Sequence, residues 1–128
     1  MSITQHLIRF AQTDVPADVA QMVRLSLFDW AACGLAGARE GGFAKVIDLQ
    51  MSMNPGDRTV VGGGTASAAG AALMNGTLSH ALDYDDTHFG HIGHPSVAVF
   101  PAVLAAAEEI GADLAALICA ASVGVEGS

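Results

Sequence analysis

The sequence has little positive charge. Lysine and arginine together number 5, against 13 aspartates and glutamates, which gives a formal net charge of -8. A nucleic-acid-binding protein needs clustered basic residues to neutralise phosphates, so we expect no nucleic-acid partner. The same net charge repels anionic small molecules at long range. Any site for a carboxylate must therefore provide its own local positive potential.

Long apolar runs and a secretory leader are also missing. The best candidate for a membrane span, Ala98 to Ala107, is too short and is followed by Glu108 and Glu109. The first 12 residues have no basic start, continuous apolar stretch or small-residue cleavage site. We therefore expect a cytoplasmic protein with no membrane contact.

Cysteine is scarce, with only 2 in the chain. Cys33 and Cys119 both lie inside apolar helical pattern, which is where free thiols are most often buried. We predict two buried, reduced thiols, and consider a disulfide the less favoured alternative in a reducing cytoplasm.

Charged residues are few for a small domain. They make up 14% of the 128 residues, whereas hydrophobic residues make up 52%. That balance is too apolar for a disordered chain and high for one small domain that covers itself with polar surface. Trp30 to Ala38 and Leu114 to Val125 are apolar on nearly all faces, so these helices need partners. We therefore expect that residues 1–128 either pack against a large partner or are part of a bigger protein.

Apolar periodicity predicts an all-α fold. About six helices are expected, at roughly 3–12, 17–38, 43–54, 68–78, 95–111 and 112–126. Asp14 is predicted to cap the second helix, and Gly34 and Gly37 would allow another helix to approach it closely. Arg58 to Val61 is the one strand candidate and is too short to imply a sheet.

The titratable residues concentrate in residues 75–96. This stretch holds four of the 5 histidines and three closely spaced aspartates, Asp83, Asp85 and Asp86. Such a cluster in an apolar chain indicates either proton-transfer chemistry or metal binding. His88, His91 and His94 are three residues apart, but the glycines between them and the proline that follows disfavour a helix. A loop metal site is therefore the less favoured alternative.

Two phosphate-related patterns lack their usual context. Asp83 to Thr87 fits the DxDxT pattern of phosphoryl-transfer enzymes, but helical sequence precedes it where a buried strand would be required. Gly62 to Gly64 opens a helix without matching a phosphate-loop or dinucleotide fingerprint. We interpret these glycines as a flexible loop followed by a helix N-cap.

Acid–base chemistry on a carboxylate fits the cluster better. Asp83 can accept a proton or orient a neighbour, and Thr87 can donate to a carboxylate oxygen. His94 precedes a helix whose N-terminus, with Ser96, adds positive potential for an anion. Purely structural interpretations stay open for the others: a core or capping His80, a turn-capping Asp86, solvated His88 and His91, and a packing Tyr84.

The segments NGTLSHALDYDDTH and HPSVAVFPAVLAAAE, residues 75–88 and 94–108, resemble the MmgE/PrpD family. That family includes 2-methylcitrate dehydratase, cis-aconitate decarboxylase and iminodisuccinate epimerase. The resemblance covers essentially the whole chain and is strongest from Val60 onward. It implies the N-terminal part of a large helical domain in a longer protein with a smaller α/β lid. It also implies homodimers that use no metal or organic cofactor.

The resemblance implies active-site roles for Asp83, Thr87 and His94. Family enzymes also use a lysine and further histidines located downstream, and Lys45 does not match that lysine. We therefore expect part of a cofactor-independent lyase or isomerase that acts on a small di- or tricarboxylate. The alternative is a non-catalytic helical module that works by association.

Overall fold

The computed structural model describes residues 2–127, which form six helices and one two-stranded hairpin. In chain order these are α1 (Ile3–Phe10), α2 (Ala17–Glu40), α3 (Ala44–Met53), β1 (Arg58–Thr59), β2 (Thr65–Ala66), α4 (Ala68–Ser79), α5 (Pro95–Ile110) and α6 (Leu114–Glu126). The predicted all-α class is confirmed.

Local signals account for most of the helix ends. The Ser67 side chain caps α4 by accepting from the Gly70 amide, and Asp113 caps α6. Gly111 ends α5 in the left-handed conformation that glycine adopts without steric cost. The predicted cap at Asp14 is wrong. Pro16 occupies the N-cap of α2, and no side chain bonds to that helix start.

Helix α4 lies at the centre of the fold, packed chiefly against α2 and α5. Half of its buried residues are small, namely Gly70, Ala71 and Ser79, and the others are Met74, Asn75 and Leu78. Small side chains let neighbouring backbones approach closely, so the position of the end of α4 is well defined.

The buried apolar side chains form two clusters. The first joins α2, α5 and α6, and its Trp30 and Phe100 rings lie 5.8 Å apart between centroids. The second lies under the hairpin and consists of Ile47, Val60, Ala66, Ala71, Met74 and Leu78. Helix α4 contributes three of these residues, so it links the hairpin side of the domain to the rest.

The hairpin pairs Arg58 with Ala66 and Thr59 with Thr65 in antiparallel register. Its outer part is tied to α4 by Asn75, whose Oδ1 accepts from the Val61 amide at 2.7 Å. Asn75 Nδ2 also donates to the Thr59 carbonyl at 2.9 Å. Only the first strand was a candidate in the sequence. The Asn75 bonds hold this first strand and the residue beyond it, whereas the second strand is held by its pairing with the first.

The two thiols differ in environment. Cys33 is buried in α2 as predicted, but Cys119 is exposed, so that part of the prediction is wrong. Burial raises the pKa of the Cys33 thiol, and the charges of Asp29, Asp85 and Asp86 add to the rise. Within residues 2–127, no helix combines the length and the apolar character that a membrane crossing requires.

Several apolar faces are open to solvent. Phe28 is 76% exposed, Leu114 is 60% exposed and Leu35 is 50% exposed. A groove of about 300 Å³ also runs between α5 and α6. Its lining is apolar and consists of Ala102, Val103, Ala106, Ala107, Ile110, Ala112, Ala116, Leu117 and Ala120. Patches of this kind usually mark surfaces that another protein element covers.

These open faces predict that residues 1–128 alone do not behave as a compact monomer. Each 100 Å² of apolar surface removed from water contributes about 2.5 kcal/mol before the entropic costs of association. We expect dimers or larger species in sedimentation experiments at micromolar concentration. A sharp monomer boundary together with cooperative thermal unfolding would contradict this prediction.

A second prediction concerns the contact between α2 and the end of α4. A Cβ atom on Gly37 would lie 2.1 Å from the Leu78 carbonyl oxygen and 3.0 Å from the Ala81 Cβ. The predicted close helix contact is therefore present. Gly37→Ala should destabilise the full-length protein by roughly 1–3 kcal/mol through overpacking, measured as a lower urea midpoint.

Gly42→Ala is the matched control, because a Cβ there meets nothing within 4 Å. It should change stability by less than about 0.5 kcal/mol. Equal midpoints for the two variants would show that the helices separate easily at Gly37. Loss of soluble protein for Gly37→Ala alone would agree with the prediction.

Candidate active site

The candidate site lies where the chain leaves α4 and enters α5. His80 is the C-cap of α4, and His94 is the N-cap of α5. The loop between them returns on itself, so the two imidazole rings meet edge to face with centroids 4.7 Å apart. Two helix ends therefore position both histidines, although they are 14 positions apart in the sequence.

Asp83 faces both rings from the solvent side. Its Oδ1 lies 3.8 Å from His94 Nε2 and 3.9 Å from His80 Nε2, and its side chain is 80% exposed. The backbone at Asp83 is left-handed, with φ of 54°. Aspartate tolerates that conformation better than most residues, but it still costs about 1–3 kcal/mol. Such strain at a carboxylate between two imidazoles is typical of a functional position.

Asp85 faces the same rings from the protein side. Its side chain is fully buried, and it bonds His80 Nδ1 at 2.9 Å. His94 Nδ1 lies 3.4 Å from Asp85 Oδ2. That contact is close enough for an ion pair, but it is not aligned as a hydrogen bond. Among residues 2–127, the buried His94 Nδ1 has no hydrogen-bond partner.

Asp86 holds the start of α5. Its carboxylate accepts from the Ser96 amide at 3.2 Å and from the Ser96 hydroxyl at 2.7 Å. Asp86 thus caps a distant helix rather than its own turn, and it is the anion at this helix N-terminus. Ser96 is buried and already bonded to Asp86. Its role as a substrate ligand stays a prediction.

Thr87 and His94 line the same open cavity, which has a volume of about 410 Å³. Ligand pockets occupy about 300–1,000 Å³, so a small carboxylate fits this space. Within the described chain, no hydrogen bond holds the Thr87 hydroxyl, which leaves it able to donate to a ligand. The structure thus brings Thr87 and His94 to one cavity, and their roles as substrate ligands stay predictions.

Residues 88–93 form a tight hairpin that rims this cavity. The His88 amide donates to the Gly93 carbonyl at 2.9 Å, which closes the base of the hairpin. Phe89 and Ile92 at its tip are 91% and 89% exposed. His88 and His91 are exposed as predicted, whereas Tyr84 is exposed rather than packed.

The structure identifies a different histidine pair from the one that sequence spacing emphasises. His80 and His94 meet at Asp85, while His88 and His91 lie in the hairpin. His80 caps α4, as one interpretation held, but it is too exposed to be a core residue. One sequence signal could have identified this histidine: His80 lies at a predicted helix end, and Asp83 and Asp85 follow it by three and five positions. That spacing brings the side chains together in a turn.

His80, Asp83, Asp85 and His94 could also hold a metal ion, because each offers a ligand atom within 4.8 Å of the others. Tetrahedral zinc bonds of about 2.0–2.2 Å place ligand atoms about 3.3–3.6 Å apart, so this group is somewhat wide. The Asp85 carboxylate and His80 Nδ1 are already bonded to each other. An ion that used both atoms would have to replace this bond.

Together these features define an all-helical domain with an acid–base cluster at the junction of two helices. The chain belongs to the MmgE/PrpD N-terminal domain family, which it matches over residues 2–128.

Two curated relatives illustrate the match. Cis-aconitate decarboxylase of Aspergillus terreus is 34% identical over 100 residues, which cover 77% of this chain and 20% of the relative. Cis-aconitate decarboxylase-like protein oryM of Aspergillus oryzae is 36% identical over 101 residues, covering 75% and 20%. The chain thus spans about a fifth of the length of these relatives. The comparison with solved structures found no significant match.

A prediction about metal follows from the bond between His80 and Asp85. If these side chains bond each other and the substrate directly, full-length protein purified without added metal should carry no stoichiometric zinc, iron or manganese. Elemental analysis measures this, and a chelator should leave activity intact. One tightly held ion per chain, lost in Asp85→Asn, would place a metal at this cluster instead.

Proposed function

We propose that this chain supplies the acid–base part of the active site of a cofactor-independent lyase. Its substrate class is small di- or tricarboxylates, as for 2-methylcitrate dehydratase or cis-aconitate decarboxylase. One observation carries the proposal: Asp83 Oδ1 lies 3.8 Å from Nε2 of His94, and His94 lines an open cavity. Family membership and the names of the two relatives support it.

Asp83 is the proposed acid–base group, or the orienter of one. Its carboxylate is exposed, so it can approach a substrate carbon next to a carboxyl group and accept a proton from it. The strained backbone aims this carboxylate at the two imidazoles. A proton taken up by Asp83 can therefore be shared with His94 Nε2.

Thr87 and His94 are the proposed carboxylate ligands. Both line the cavity, and the Thr87 hydroxyl and the Nε2–H of a cationic His94, which carries protons on both nitrogens, are donors suited to a carboxylate oxygen. The site also holds the Asp83 and Asp85 carboxylates, so an anionic substrate needs these donors to offset local repulsion. Ser96 contributes by fixing Asp86 and the start of α5.

The open apolar faces support an association partner as well. We propose that they are covered in a homodimer or by the remainder of the protein, in the cytoplasm, without nucleic acid or membrane. A purely associative module with no catalytic role is the alternative function, and the apolar groove between α5 and α6 favours it. The two functions differ in whether the His–Asp cluster matters to the full-length protein.

Kinetics of the full-length protein against a panel of small carboxylates tests the proposal. His94→Ala should lower kcat/KM by roughly 10²-fold or more without unfolding the protein, because it removes a transition-state donor. Asp83→Asn keeps the shape of the side chain and should cause a loss of similar size.

His91→Ala is the matched control, since this histidine is exposed in the same loop and lies outside the cluster. It should keep a near-wild-type rate. An unchanged rate in His94→Ala would remove His94 from the site. The absence of activity towards every carboxylate in the panel would favour the associative module.

A further inference from the structure

Asp85 is a buried carboxylate enclosed by two imidazoles. Its side chain has no exposed surface, whereas the His80 and His94 side chains are 45% and 24% exposed. Removing an unpaired carboxylate from water costs several kcal/mol, so a buried aspartate needs donors. Among residues 2–127, the side-chain donors that face Asp85 are the Nδ1 atoms of these two histidines.

Both oxygens of Asp85 contact His80, and Oδ2 also faces His94. His80 Nδ1 lies 2.9 Å from Oδ1 and 3.2 Å from Oδ2. His94 Nδ1 lies 3.4 Å from Oδ2, and this nitrogen is buried without another partner in the described chain. A buried N–H without an acceptor is costly. A rotation of the His94 ring that aligns its Nδ1–H with Asp85 Oδ2 would convert this contact into a hydrogen bond.

The opposite edges of the same rings share a second carboxylate. Asp83 Oδ1 lies 3.8 Å from His94 Nε2 and 3.9 Å from His80 Nε2. The rings are therefore held between a buried carboxylate at Nδ1 and an exposed carboxylate at Nε2. An imidazole that donates its Nδ1–H to a carboxylate keeps Nε2 as its exchangeable nitrogen.

We propose that Asp85 is a positioning residue that fixes the Nδ1–H tautomer of both His80 and His94. This inference rests on the proposed function, because it assigns proton exchange with substrate and Asp83 to Nε2 of His94. It also gives His80 a role, as the second ring oriented by the same carboxylate. Asp85 itself is shielded from the cavity and exchanges no proton with substrate.

The carboxylate form is essential to this arrangement. A carboxylate offers two acceptor oxygens, one for each ring, whereas the asparagine amide offers one acceptor and one donor. In Asp85→Asn only one ring can keep its Nδ1–H towards residue 85. The other ring must present a bare Nδ1 to the amide N–H and carry its proton on Nε2.

The test is nitrogen NMR of the full-length protein labelled with ¹⁵N-histidine, at a pH high enough for neutral rings. Wild-type His80 and His94 should both show the Nδ1–H pattern, and Asp85→Asn should switch one ring to Nε2–H. We also expect kcat to fall roughly 10- to 100-fold in Asp85→Asn with a smaller change in KM. If Asp85 had a purely structural role, Asp85→Asn would leave both tautomers unchanged and would not lower kcat more than it changes KM.

Asp86→Asn is the matched control. It makes the same change of charge one residue away, at a carboxylate that bonds Ser96 rather than a histidine. Both tautomers should stay as in the wild type.

Two results would overturn the inference: Nδ1–H on both rings in Asp85→Asn, or Nε2–H on either wild-type ring. The wild-type spectrum decides the matter by itself if Asp85→Asn fails to fold. Expected tautomers in a protein that turns over no carboxylate would reject the proposed function but keep the positioning role. If the protein turns over a carboxylate but Asp85→Asn leaves both tautomers unchanged, the positioning role is rejected and the proposed function is kept.

Discussion

The architecture depends on α4 being narrow enough for its neighbours to reach its backbone. Gly37 of α2 meets the Leu78 carbonyl so closely that even a methyl group would collide with it. On another side, Asn75 reaches the hairpin with both ends of its amide. These contacts fix where α4 ends, and the end of α4 fixes His80. The geometry of the candidate site is thus inherited from how closely α2 and the hairpin pack against α4.

Much of the fold was predictable because its signals are local. Apolar periodicity and breaker residues located all six helices to within a few positions, and Gly37 indicated the close helix contact. The errors concern interactions between distant parts of the chain. The second strand is held by its pairing with the first strand, and the exposure of Cys119 depends on which face of α6 meets the core. Neither can be read from neighbouring residues.

The site was predictable in composition but not in arrangement. Asp83, Thr87 and His94 could be chosen from the residue types and from the family resemblance, and the structure places them around one loop. The significance of Asp85 depends on its burial, which follows from how α4 and α5 converge. In the same way, Ser96 reads as a free donor in the sequence, yet Asp86 occupies it from ten residues away. Sequence spacing alone does not distinguish a buried carboxylate from an exposed one.

Because the base of the 88–93 hairpin is closed, the length of the loop at its tip can change without changing the geometry of the candidate site. Since His88 and Gly93 are paired directly, the chain enters and leaves the tip at fixed points, whatever lies between them. Lengthening such a loop is inexpensive, at about 0.6 kcal/mol for each doubling. Evolution could therefore vary the rim of the cavity, and with it the shape of ligand admitted, while His94 keeps its place at the start of α5. The rim of the cavity and the position of His94 become separately adjustable properties of one short segment.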